Sequence, residues 1–286
     1  MTKEKIAILT DTCCDVPKTY IERYHMYVLP LKIIYHDREY IDGVNITPRE
    51  IYDHLDQEIP KTSLPDGETI VRLFDQIKQD GYDKVIAVTL SSGLSGTHNM
   101  VSLMARDYEG LNIFVLDTKN IAIGAGFHAI QAGRYIEQGL DFETISEKLA
   151  LEIKRSKVFF VVKTLEYLQK GGRIGLVASL FGNALNLKPI ISCNDEGIYY
   201  TVAKVRGRSQ SIHKTMDLAL KFAEGHKRYD VAVVHGDGLE DAERIKEILL
   251  PKLPGKEVLI EGQISPALGV HTGPGSLAIG IHFIEE

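Results

Sequence analysis

The sequence contains no tryptophan, so its aromatic content rests on 13 tyrosines and 9 phenylalanines. Only three residues are cysteine, and two of them, Cys13 and Cys14, are adjacent. An odd number without paired spacing makes neither a disulfide framework nor a zinc site. The ten histidines show no HxxxH or HExxH spacing, so no metal is expected. Apolar runs stop far short of the roughly 18 residues that a membrane span needs. No span is expected, although transient membrane contact stays open. The start, MTKEKIAILTDT, lacks the long apolar core and cleavage site of a signal peptide. A reducing cytoplasm is the expected location. A basic excess is missing too: 33 Lys and Arg against 39 Asp and Glu leave a net charge of −6. That balance argues against nucleic acid as the partner.

What is present reads as a folded globular chain, 44% hydrophobic and 25% charged. At roughly 150 residues per domain, 286 residues make two. Residues 6–11, IAILTD, are a strand candidate, followed by a helix with Asp15 as N-cap and Pro17 in its first turn. MYVLPLKII (26–34) is a second extended run. Thr47-Pro48-Arg49-Glu50 spells a capping box with proline at the first helical position. Strand, helix and strand follow at 85–90, up to about 108, and 113–117, then a long helix over 120–137 and another opened by Asp141. Alternating strands and helices predict a mainly parallel sheet. Beyond it, runs at 188–194 and 198–205 flank Asp195-Glu196-Gly197, a hairpin signature. The expected fold class is α/β. Residues 1–160 form a mainly parallel three-layer α/β domain, and 161–286 an α+β domain with an antiparallel component.

Four segments could carry chemistry. Ser91-Ser92-Gly93-Leu94-Ser95-Gly96-Thr97 sits between a strand and a helix, where amides and the helix dipole favour an anion. Ser92, Ser95 and Thr97 add hydroxyls, and no lysine makes this a Walker A loop. Such a donor set suits a carboxylate better than a triphosphate, and an ordinary helix cap is the competing reading. Lys61-Thr62-Ser63-Leu64-Pro65-Asp66 places two hydroxyls before a helix capped by Asp66. Gly171-Gly172-Arg173 displays a guanidinium on a glycine turn, and Arg206-Gly207-Arg208 is a second basic cluster. His271 lies among three glycines and a proline, where a loop histidine can donate to a carboxylate. Cys13 and Cys14 stand near a helix start that can activate a thiol, but no base is identifiable beside them.

Seven motifs in order resemble the DegV family: TDTCCD (10–15), KTSLP (61–65), SSGLSGT (91–97), KTLEYLQKGGRI (163–174), LKPII (187–191), VRGR (205–208) and VHTGPG (270–275). The resemblance implies a long-chain fatty acid buried in a tunnel between two domains. It further implies a non-catalytic carrier subunit of a bacterial fatty acid kinase, whose separate kinase subunit supplies ATP and magnesium and forms the acyl phosphate. Carried over by motif, Thr62, Ser92, Ser95, Gly96 and His271 bind the carboxylate. Arg173 and Arg206 fall at the rim used for phosphoryl transfer and partner contact. No cofactor beyond the lipid is implied. The apolar run 176–187 is a candidate tunnel wall or plain core. This chain departs from the family pattern at Cys13-Cys14, Leu64 and Asp66. Two other readings remain at this stage. One is a stand-alone enzyme on a small anionic metabolite, with His271 as acid/base. The other is a lipid-sensing regulatory protein.

Overall fold

The computed structural model describes residues 4–180 and 186–284. Residues 181–185 of the candidate tunnel wall therefore lie outside the described residues. The described strands are β1 (Ile6–Asp11), β2 (Tyr27–Leu29), β3 (Lys32–Ile34), β4 (Glu39–Ile41), β5 (Lys61–Ser63), β6 (Lys84–Thr89), β7 (Asn112–Asp117), β8 (Ser156–Val161), β9 (Leu187–Cys193), β10 (Tyr199–Arg206), β11 (Tyr229–Gly236), β12 (Lys256–Gln263) and β13 (Ser276–Phe283). The helices are α1 (Lys18–Arg23), α2 (Pro48–His54), α3 (Gly67–Gln79), α4 (Thr97–Asp107), α5 (Ile123–Glu137), α6 (Phe142–Leu151), α7 (Glu166–Lys170), α8 (Arg208–Ala223), α9 (Leu239–Leu249) and α10 (Pro266–Thr272).

The molecule is α/β, with a parallel sheet in its first half and a mixed sheet in its second. The first sheet runs β2-β1-β6-β7, every pair parallel. All six residues of β1 are buried, as expected for a central parallel strand covered on both faces. The second sheet runs β10-β9-β8-β13-β11-β12. Its pairs are antiparallel except β11 with β12. The hairpin written in Asp195-Glu196-Gly197 joins β9 to β10 as expected.

Helix α5 lies between the two sheets, touching β1 and β6 on one side and β8 and β13 on the other. A helix buried on nearly every face is mostly apolar or small, and apart from His128, Gln131 and Tyr135 its buried residues are. Its glycines are part of that pattern. A Cβ on Gly126 would lie 2.2 Å from the Cys14 carbonyl oxygen, and one on Gly133 would lie 2.4 Å from the Tyr24 ring. The same helix holds the halves together through its single long cation, Arg134, which meets Asp230 of β11 at 2.6 Å.

Three local features differ from what the sequence suggests. The run 26–34 is not one strand: it breaks at Pro30, which has no amide hydrogen, and β2 and β3 enter different sheets. The segment Lys61–Ser63, given no element in the sequence, is a strand. It pairs with β3 in a small antiparallel sheet of order β4-β3-β5, setting Thr62 opposite Ile33. Asp15 does not cap α1, since Pro17 occupies that position. Asp15 instead adopts φ +48°, closes a short turn over Thr12–Cys14, and sends its carboxylate toward the start of α10. The capping box forms as written: Glu50 N–H donates to Thr47 Oγ1, and Thr47 N–H donates to the Glu50 carboxylate.

Candidate functional site

The loop after β6 is fixed from both sides before it reaches α4. Ser91 N–H donates to the Asn120 carbonyl at 2.8 Å, and Ser91 Oγ donates to the Gly197 carbonyl at 2.8 Å. Gly197 takes φ +77°, and a Cβ there would lie 1.9 Å from Ser91 Oγ, so the hairpin turn can approach only as glycine. Ser95 Oγ accepts from Thr97 N–H at 3.2 Å and pairs with Thr97 Oγ1 at 2.9 Å. The helix start is therefore held by its own hydroxyls, with Gly96 at the N-cap.

Two distant segments close over this loop. Thr62 Oγ1 of β5 lies 2.6 Å from Nε2 of His271, which sits in the last turn of α10 rather than in a loop. The glycine turn after α7 packs against the same imidazole: a Cβ on Gly171 would fall 2.1 Å from His271 Nδ1. Arg173 is not displayed outward. It folds back, donating from Nη1 to the Gly171 carbonyl at 2.9 Å and from Nε to the Leu94 carbonyl at 3.4 Å. Burial, followed by the nearby Arg173 charge, pushes the His271 imidazole down to about 4. The ring is thus neutral at physiological pH.

Together these groups line a cavity of about 140 Å³. Thr62, Ser63, Ser95, Gly96, Arg173 and His271 supply its polar wall, and Leu64, Leu90 and Leu94 part of its apolar wall. No acidic residue lines it, and Arg173 is its cation. The arrangement therefore accepts an anion. A second cavity of about 30 Å³ is walled by Val158, Phe160, Val234, Ile264, Leu277 and Ala278 among others. Ile121, Tyr199, Leu268 and Thr272 line both cavities. An anion-accepting mouth thus shares its floor with an apolar recess.

Of the residues singled out in the sequence, Thr62, Ser95, Gly96, Arg173 and His271 converge on one cavity. Ser92 does not line it. Its N–H donates to Asp117 Oδ1 at 3.1 Å, and its Oγ accepts from Lys119 Nζ at 3.0 Å. Arg206 is exposed at the end of β10, also outside the lining. Asp66 caps α3 by accepting from Thr69 N–H at 2.8 Å, so that departure from the family pattern serves helix capping. Leu64, in contrast, faces the cavity. Tyr199, Ile121 and Leu268 gave no chemical signal in the sequence. Their only mark was membership of apolar runs, which core residues share.

Cys13 lines the cavity, Cys14 Sγ donates to the Val88 carbonyl at 3.7 Å, and Cys193 is buried. Burial pushes the thiols of Cys13 and Cys14 well up and that of Cys193 to about 12. Burial thus disfavours the thiolate at all three positions. Native protein at about pH 8 is expected to leave a disulfide reagent unconsumed over minutes, and all three thiols should react after unfolding. A rapid native reaction at Cys13 would return it to the list of candidate nucleophiles. Among the described residues no cluster of His, Cys, Asp or Glu could hold a metal ion.

The model of the DegV family, described as an uncharacterised protein family, matches residues 5–283. The chain belongs to the DegV family. A DegV domain-containing protein of Clostridium acetobutylicum is 44% identical over 278 residues, 97% of this chain and 99% of that protein. The structure is similar to that of a Thermus thermophilus DegV family protein described as binding fatty acid, at TM-score 0.92 and 27% identity, covering 98% of this chain and 100% of that one. A stearic-acid-binding protein of Eubacterium ventriosum superposes at TM-score 0.87 with 29% identity, covering 97% of this chain and 98% of its own. No described helix of this DegV chain is long and apolar enough to cross a membrane.

Proposed function

We propose that this protein carries a long-chain fatty acid and presents its carboxylate to a separate ATP-dependent kinase subunit for acyl-phosphate formation. The observation that carries the reading is the shared wall. Ile121, Tyr199, Leu268 and Thr272 bound both the anion-accepting cavity and the apolar recess, so a ligand headed in the first directs its tail into the second, which a long chain has to widen. The carboxylate sits among Thr62, Ser95, Gly96, Arg173 and His271, and the chain runs toward Phe160 and Ala278. In this reading there are two domains and the tunnel lies between them; the boundary expected at 160–161 moves to before β8, which pairs with β13 and β9 in the second sheet. The solved relatives described as fatty-acid-binding support the ligand class.

Energetics support a carrier. An acyl chain of 14 to 18 carbons gains on the order of 10 kcal/mol from burial, at about 0.8 kcal/mol per CH₂. The tunnel supplies affinity and the polar mouth fixes orientation. The neutral His271 and Arg173 hold the carboxylate at the surface end, where phosphoryl transfer needs an oxygen set in line with a γ-phosphate. Exposed Arg206 provides a charge for an acidic partner surface. The working location is the cytoplasm, with transient membrane contact for loading.

Mass spectrometry of gently denatured protein is expected to release a long-chain fatty acid, and the loaded protein to yield acyl phosphate only with a kinase subunit and ATP. Thr62→Val should weaken palmitate binding about tenfold, the usual cost of leaving a buried polar group unpaired. A lipid-free spectrum together with no palmitate binding in titration would overturn the proposal.

A further inference from the structure

The TDTCCD motif contributes Asp11 and Asp15, yet neither carboxylate lines the anion-accepting cavity. Asp42, from the segment after β4, is 0% exposed and likewise lies outside that lining. What Asp15 and Asp42 touch is the start of α10. Ser265 N–H donates to Asp15 Oδ1 at 2.9 Å, and Ala267 N–H donates to Asp42 Oδ1 at 2.9 Å. The partners are separated by 250 and 225 positions in the chain.

Helix α10 needs such help. It has seven residues, too few to be stable alone, and its N-cap Ser265 makes no side-chain cap. Pro266 at its first position has no N–H, so Ser265 and Ala267 supply the first amides. Both are met by imported side-chain oxygens from distant parts of the chain. At its other end the helix carries His271, set 2.6 Å from Thr62. Asp42 is itself fixed, its N–H donating to the Leu31 carbonyl at 2.9 Å, one residue before the strand that pairs with Thr62. The clamp and the Thr62 strand thus share one support.

We propose that Asp42 and Asp15 are positioning residues for His271: they clamp the first turn of α10 and so set the imidazole against Thr62 at the carboxylate mouth. The inference rests on the fatty-acid reading for its consequence, though not for its geometry. Asp42→Leu removes the acceptor, whereas Asp42→Asn keeps a side-chain oxygen for Ala267.

The test compares wild type, Asp42→Leu, Asp42→Asn and Asp15→Ala by two readouts. The first is the ¹⁵N resonance of His271 Nε2 without lipid. The second is the palmitate dissociation constant. In Asp42→Leu the Nε2 resonance should lose its hydrogen-bond shift and palmitate binding should weaken about tenfold. Asp42→Asn should stay within about twofold of wild type in affinity and keep the resonance. If Asp42→Leu does not fold, Asp15→Ala carries the same expectation. A folded Asp42→Leu or Asp15→Ala with an unmoved His271 resonance overturns the inference, as does an Asn variant as damaged as the Leu variant. Wild type that binds no palmitate removes the carrier reading and leaves the resonance test intact.

Discussion

Ala278→Phe is expected to weaken palmitate binding on the order of 100-fold while sparing a shorter acid such as octanoate. Ala278 is 7% exposed on β13, with Val234 on one neighbouring strand and Phe160 on the other. All three line the apolar recess of about 30 Å³. A phenyl ring at this position fills the recess, so a chain that in the proposed reading widens it and runs on would leave about four methylenes unburied. At about 0.8 kcal/mol each, their exclusion costs roughly 3 kcal/mol, which corresponds to slightly more than a 100-fold change in affinity. The mouth, formed by Thr62, Ser95, Arg173 and His271, is untouched, so a chain too short to reach the recess keeps its contacts. The added ring also strains the core by about 1–3 kcal/mol, and thermal melting reads that cost separately. Titration of both acids decides the matter. Equal palmitate affinity in wild type and variant means that the chain does not run toward β13. Equal loss for both acids means that the ring has disturbed the mouth as well.

Much of this site was legible because its parts are local. Ser95 Oγ accepts from Thr97 N–H at the start of α4, and a strand-loop-helix junction announces itself in a few residues. Thr47 with Glu50, and Asp195-Glu196-Gly197 between β-rich runs, are equally short-range. The convergence of Thr62 with His271 spans 209 positions and left no spacing signal. It came only from the family resemblance. Ser92 belongs to the same motif as Ser95, but its Oγ meets Lys119 Nζ and does not line the cavity. Arg173 shows a further departure. A glycine turn implies display, yet the Leu94 and Gly171 carbonyls draw the guanidinium inward. The small sheet of β3, β4 and β5 was illegible because strands of three residues carry too little alternation to recognise. Asp15 read as the nearest helix cap, the usual role of such a residue, while its real partner lies 250 positions away.

Arg134→Met should destabilise the fold by about 3 kcal/mol near neutral pH, and by much less in mild acid. Arg134 and Asp230 are 18% and 1% exposed in their side chains and lie 2.6 Å apart. Asp230 stands opposite His282 in the antiparallel pair of β11 and β13, so no water shell replaces the guanidinium. Burial already holds the Asp230 carboxyl above its ordinary value of 3.8, with Arg134 pulling the other way. Removing the cation raises it further. Between the unfolded and folded values the folded protein keeps a proton that the unfolded chain releases, and stability falls as pH rises. The penalty of the variant therefore grows from acid toward neutral pH. Methionine retains most of the arginine stem, so lost packing contributes little. Urea unfolding at about pH 4.5 and about pH 7.5 measures the difference. A penalty of the same size at both would show that packing, not the uncompensated carboxylate, sets the cost. The double variant Arg134→Met/Asp230→Leu should recover most of the loss, because a buried pair exchanged for apolar residues is often neutral. The tie joins α5 to β11, whose Val234 lines the apolar recess. Weakening it should loosen the wall of that recess as well as the fold, so under the proposed carrier reading palmitate should be lost faster from Arg134→Met at about pH 7.5 than from the double variant.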